Sequence, residues 1–215
     1  MSNQLAPPEL KEIHPLGKSP VISVESPAAP KPIVIAESGA IIEYLCDYFA
    51  QHLVPKRYQE GKDGQVGGET EQWMRYRFYM HYAEGSLMGI LILALIMDMI
   101  GDGPGTPFFI KPITRAIVGK VYTLFLADNL KTHFTFLEQQ LATSPDEGKF
   151  LCGRDLTAAD ILMGATLIAA KSRKKFEQAQ YPKLVAYTEL MEDHEGYKAS
   201  ITKVEEVSGE PFKAM

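Results

Sequence analysis

Apolar positions repeat on two different periods in this chain, and the change of period divides it. Near the start, residues 21–25 and 33–36 are short β-branched runs flanking 26–32, where Pro27, Pro30 and Pro32 stand. Runs of that length around a proline-rich turn predict a β-hairpin. Before it, 7–13 reads as a short helix, with Pro7 and Pro8 at its start and Pro15 beyond its end. After it, Ile41, Ile42, Leu45, Tyr48 and Phe49 fall on one side of a helix over about 38–52. A polar, glycine-rich stretch, 57–69, breaks the pattern and predicts a boundary between a lobe at 1–56 and a second domain at 70–215.

Beyond that boundary the period is helical throughout. Trp73, Tyr76, Met80, Ala83, Leu87 and Leu91 recur at steps of three and four, as on a long amphipathic helix. A break is expected at 101–107. A second long helix starts near Ile113, with Ile117, Val121 and Leu124 on one stripe and Leu126, Leu130, Phe134, Leu137 and Leu141 in its later part. Long helices with short connections predict a bundle, so the fold class is α+β, mostly helical. Thr157 and Asp160 have N-cap and N3 spacing, a capping box that starts a buried helix, with Leu156 and Ile161 in the positions of a hydrophobic staple. Pro182 opens a last helix.

Charge and cysteine content narrow the partners. A formal net charge of −5 opposes nucleic-acid binding. Two cysteines, Cys46 and Cys152, make no disulfide framework, and their apolar neighbours predict buried thiols. No metal is expected. The very apolar run 88–97 stops at Asp98, short of the ~18 residues of a spanning helix, and is expected to be a core helix.

The candidate chemistry lies near the hairpin. An X-Pro bond costs little extra to be cis, and the residue before proline is pushed to an extended conformation. Ser19, before Pro20, can therefore present its backbone to another peptide as an added strand would. Ser38 stands where a helix begins, and first-turn N–H groups favour an anion. Glu37 offers a negative charge for an ammonium group. Together they suit an amino-acid head carrying carboxylate and ammonium on one carbon. Lys18 can hold a second carboxylate. Singly, a Ser-Pro turn, a capped helix start and a surface lysine are ordinary features. Their order, Lys-Ser-Pro, hairpin, Glu-Ser, helix, is specific.

That order resembles the glutathione transferases, closest to the fungal, yeast-type group described as membrane-associated. The matching residues run from Ala6 through Ile13 to Val21, then over Ala36-Glu37-Ser38-Gly39, Tyr82-Ala83-Glu84-Gly85-Ser86-Leu87 and 156–163. The resemblance implies a thioredoxin-like lobe followed by the family's all-α C-terminal domain, a homodimer, and conjugation of glutathione, as co-substrate, to a small electrophile. It implies that Ser19 and Pro20 hold the cysteinyl backbone, that Glu37 and Ser38 bind the γ-glutamyl head, and that Lys18 takes the glycyl carboxylate. Arg75, Tyr76, Tyr79 and Tyr82 become candidates for the electrophile pocket. The expected location is cytoplasmic, peripheral to intracellular membranes, with no transmembrane span. Family members carry a strand, a loop bearing Ser, Tyr or Cys, a helix and a second strand before the matching part. Here Met1 to Leu5 precede it, so the expectation is a truncated, marginal lobe with no catalytic residue assigned in the chain. Three readings stand: a transferase in detoxification or secondary-metabolite synthesis, a non-catalytic glutathione-binding or dimerisation protein, and a helical scaffold with no ligand.

Overall fold

The computed structural model describes residues 7–103 and 107–212. The start of the expected match at Ala6, the residues before it, and the middle of the expected break at 104–106 lie outside the described residues. The chain divides into two compact units, Met1–Pro55 and Lys56–Met215.

In the first unit, a short helix α1 (Leu10–Ile13) leads to strands β1 (Val21–Val24) and β2 (Ile33–Ala36), then helix α2 (Ser38–Tyr48) and a 3₁₀ turn (Gln51–Leu53). The strands pair antiparallel, with Val21 opposite Ala36 and Val24 opposite Ile33. Ile41 and Cys46 of α2 are its buried hydrophobic side chains. The helix expected over 38–52 ends instead at Tyr48 and restarts as the 3₁₀ turn.

The second unit is helical. Helix α3 (Glu71–Tyr82) passes through a π-helical segment (Ala83–Met88) into α4 (Gly89–Asp102). Likewise α5 (Lys111–Val121) passes through a π-helical segment (Tyr122–Leu126) into α6 (Ala127–Ala142). Helices α7 (Ala158–Ser172), α8 (Pro182–Asp193) and α9 (Glu195–Ser208) follow. One last helix was expected from Pro182. There are two, divided at His194, whose extended backbone ends α8 and whose ring accepts from the Gly196 N–H to cap α9.

The core of this unit gathers Tyr79, Ala83, Leu87, Leu126, Phe134, Leu137, Met163, Leu167, Leu184 and Tyr187, all buried. The predicted capping box is present. Asp160 Oδ2 accepts from the Thr157 N–H at 2.9 Å and from its hydroxyl at 2.6 Å. Ile161, placed in the staple, stays 41% exposed. The apolar run 88–97 departs from expectation more clearly. Leu87 and Ala94 are enclosed, but Ile92 and Ile96 face solvent, so α4 is a core helix on one side only.

Candidate functional site

The hairpin register positions the candidate residues. Val21 and Ala36 form the last pair of the ladder. Pro20 and Glu37 are each one residue beyond that pair, so the proline loop and the start of α2 share one end of the hairpin. Opposed Cα atoms in such a pair are about 4.5–5.5 Å apart. Lys18, Ser19, Pro20 and Glu37 are exposed and Ser38 is half-buried. The Ser19–Pro20 peptide is cis.

Glu37 is the unusual residue. Its backbone has φ 73° and ψ 122°, outside the regions that L-residues ordinarily occupy. Holding a non-glycine residue there costs on the order of 1–3 kcal/mol, and such residues gather at functional sites. Its carbonyl accepts the first α2 bond, from the Ile41 N–H at 2.9 Å. Its carboxylate makes no cap bond. Among the described residues neither Glu37 nor Lys18 forms an ion pair. Beside the second residue of α2 there is open space, since a Cβ on Gly39 would meet no atom within 4 Å. The sequence marks Glu37 as an acid beside a helix start. It carries no signal for the strained backbone, because nothing about a glutamate announces positive φ.

Arg75, Tyr76, Tyr79 and Tyr82 come together as interior of the helical unit. Arg75 is engaged on several sides: it donates to the carbonyls of Gln140 at 3.0 Å and Thr143 at 2.6 Å and pairs with Glu71 at 3.0 Å. Tyr79 has no exposed surface and donates to Gln140 at 3.4 Å. Tyr82 meets His133 Nδ1 at 2.6 Å and stacks on Phe78. Burial drives both hydroxyls well above the ordinary tyrosine range and holds the His133 imidazole below its ordinary value. Arg75 and Tyr79 are thus committed to packing, and neither is a ready acid or cation for a thiol.

Both cysteines are buried and reduced. Burial, aided by Asp160, pushes the Cys152 thiol up to about 12, and burial with Asp47 and Glu43 raises that of Cys46. Neither is an activated nucleophile. Among the described residues, no cluster of three or more His, Cys, Asp or Glu side chains is arranged to hold a metal ion.

Comparisons with known proteins agree with this architecture. The family model for the glutathione S-transferase C-terminal domain matches residues 118–202. Glutathione S-transferase 1 of Saccharomyces cerevisiae is 32% identical over 202 residues, covering 94% of this chain and 80% of that protein. Among solved structures, a glutathione transferase homologue from Lodderomyces elongisporus, with two glutathione molecules per subunit, superimposes with a TM-score of 0.61 at 18% identity, over 87% of this chain and 76% of that one. A homologue from Sulfitobacter with bound glutathione gives 0.60 at 18% identity, over 92% and 79%.

Proposed function

The chain belongs to the glutathione S-transferase family, and on that premise we propose that it binds glutathione at the open end of its hairpin and conjugates it to small electrophiles, in detoxification or secondary-metabolite synthesis. The observation that carries this reading is the β1–β2 register, which puts the Ser19–Pro20 loop and the Glu37–Ser38 helix start side by side. In the proposed complex the Ser19 backbone, beside the cis Pro20, pairs with the cysteinyl unit. The α2 N-terminus and Ser38 take the γ-glutamyl carboxylate, Glu37 takes its ammonium, and Lys18 takes the glycyl carboxylate. The Glu37 carboxylate makes no cap bond, and no ion pair among the described residues, which leaves it available for that cation. The chain acts as a homodimer, cytoplasmic and peripheral to intracellular membranes.

Calorimetric titration of the purified chain with glutathione tests the cradle. Glu37→Gln removes a charge-assisted bond of roughly 1.5–3 kcal/mol, so affinity should fall about tenfold or more, with the thermal melt unchanged. An unaltered affinity in Glu37→Gln and Lys18→Ala together would remove the cradle assignment. Turnover of a model electrophile by the same preparation supports conjugation; binding without turnover would favour the non-catalytic reading.

A further inference from the structure

Gly17 is buried, although Pro15, Leu16, Lys18, Ser19 and Pro20 around it are all exposed. Its N–H donates to the His14 carbonyl at 2.8 Å, which closes a turn over His14-Pro15-Leu16-Gly17. Proline second and glycine fourth are residues that such a turn favours. The His14 ring tightens it, its Nδ1 accepting from the Leu16 N–H at 3.4 Å. Gly17 leaves the turn with φ 57°, a left-handed conformation that disfavours an L side chain.

The side of Gly17 where a Cβ would stand is filled by Lys11 of α1. That Cβ would lie 2.6 Å from Lys11 Cγ, 3.4 Å from its Cε and 3.6 Å from its Cδ. Lysine stems commonly lie along apolar side chains while their heads stay in water. Here the stem lies on bare backbone, and no salt bridge draws the head there. Among the described residues Lys11 forms no ion pair, although Glu9 and Glu12 are near it in sequence.

The contact sits where the cradle needs support. Among the described residues Lys18 and Ser19 make no backbone hydrogen bond, so their N–H and C=O groups stay open to a ligand. The loop is therefore held from its ends. On one side is Val21, paired with Ala36 in the ladder. On the other is the Gly17 turn, with Lys11 laid against it. Loosening that turn frees Lys18 first, because it is the next residue along the chain.

We propose that Lys11 is a positioning residue for the tripeptide: its stem, packed on Gly17, fixes the loop from which Lys18 meets the glycyl carboxylate. The role belongs to the methylenes and not to the ammonium. This rests on the cradle given under Proposed function and deepens it by naming what sets its preference for a carboxylate at that end of the ligand.

Titrating the full chain with glutathione and with its glycyl ethyl ester, which lacks that negative charge, tests it by calorimetry. A charge-assisted bond from Lys18 should make the wild-type chain prefer glutathione by about tenfold. Lys11→Ala should weaken glutathione binding about fivefold, since about one more residue must then be ordered on binding, and so bring the preference down to about twofold. Lys11→Met keeps a stem of similar length without the charge, and should bind both ligands as the wild type does. Gly17→Ala, whose Cβ has to displace Lys11, should narrow the preference as Lys11→Ala does. A general weakening of the fold lowers both affinities together and leaves their ratio alone, as Glu37→Gln also should. A preference undiminished in Lys11→Ala overturns the proposal and leaves the cradle standing. An equal loss in Lys11→Met and Lys11→Ala overturns it too, because the ammonium is then what binds. Wild-type chain that binds the two ligands alike removes the Lys18 contact and this inference with it, and wild-type chain that binds neither removes the whole cradle.

Discussion

Two carboxylates with opposite surroundings show how residue type alone leaves role undecided. Glu37 is exposed, on a strained backbone, with no ion pair among the described residues. Asp160 has no exposed surface and accepts from the N–H groups of Leu151 and Thr157, each at 2.9 Å, and from the hydroxyls of Thr157 at 2.6 Å and Tyr187 at 3.1 Å. It joins the turn before α7, the α7 start and α8. Burial raises its carboxyl above the ordinary aspartate value, with those hydrogen bonds acting in the other direction. Asp160→Asn puts an amide donor against buried donors. Leaving such groups unmade costs roughly 1–3 kcal/mol each, so the variant should lose about 3 kcal/mol. The pH dependence has a definite sign. With the folded value above the unfolded one, the folded state keeps its proton over the interval between them, and stability falls as pH rises through that interval. The asparagine cannot titrate, so the gap between wild type and variant should be widest at acid pH and narrow upward. Urea denaturation across a pH series measures it, and a gap that widens with pH would show the carboxylate is not raised.

Elements were legible where local chemistry alone decides them. The β2 bounds, the α7 start and the two long helices follow from β-branched runs, a Thr-x-x-Asp box and three-four spacing. Two features escaped because periodicity does not encode them. An all-apolar run such as 88–97 cannot reveal which side is covered, so α4 read as core. The π-helical segments at Ala83–Met88 and Tyr122–Leu126 shift the phase of each stripe without any proline to mark the place. Likewise Glu37 and Ser38 could be picked as a pair from sequence, but their setting beside Pro20 depends on a strand register. The turn into α7 depends on a close approach: a Cβ on Gly148 would sit 2.0 Å from the carbonyl carbon and oxygen of Gly153. Because the obstacle is backbone, Gly148→Ala should cost about 3 kcal/mol, the upper part of the usual range for one substitution. Gly119→Ala is its counterpart. It lies inside α5 with nothing within 4 Å, so removing glycine's backbone freedom should stabilise by about 0.5–1 kcal/mol. Opposite shifts of the thermal midpoint are the expected outcome.

At the scale of the molecule, buried surface is unequally shared. The unit Met1–Pro55 buries Ile41 and Cys46 among its described hydrophobic residues, and its sheet is two strands of four residues. A hairpin of that size is marginal by itself in water. The unit Lys56–Met215 holds the remaining core. The glycine-rich stretch 57–69, which composition marks as the place to cut, is tied down. Tyr58 bridges Glu69, the Gln59 N–H donates to Gly68, the Thr70 N–H donates to Arg57 and its hydroxyl to Lys56, and Arg57 lies 4.6 Å over the Trp73 ring. Limited proteolysis of the whole chain should therefore cut within the first unit before it cuts 57–69, and leave a resistant fragment beginning near Lys56. Cleavage that follows local opening reports the population of the open form. A ligand held by the folded cradle lowers that population by about 2.7 kcal/mol at one hundred times its Kd, or about a hundredfold. Glutathione should then protect the first unit and leave the helical fragment's slow digestion unchanged. First cuts inside 57–69 would count against the uneven stability, and a first unit digested at the same rate with and without glutathione would count against the cradle at the end of its hairpin.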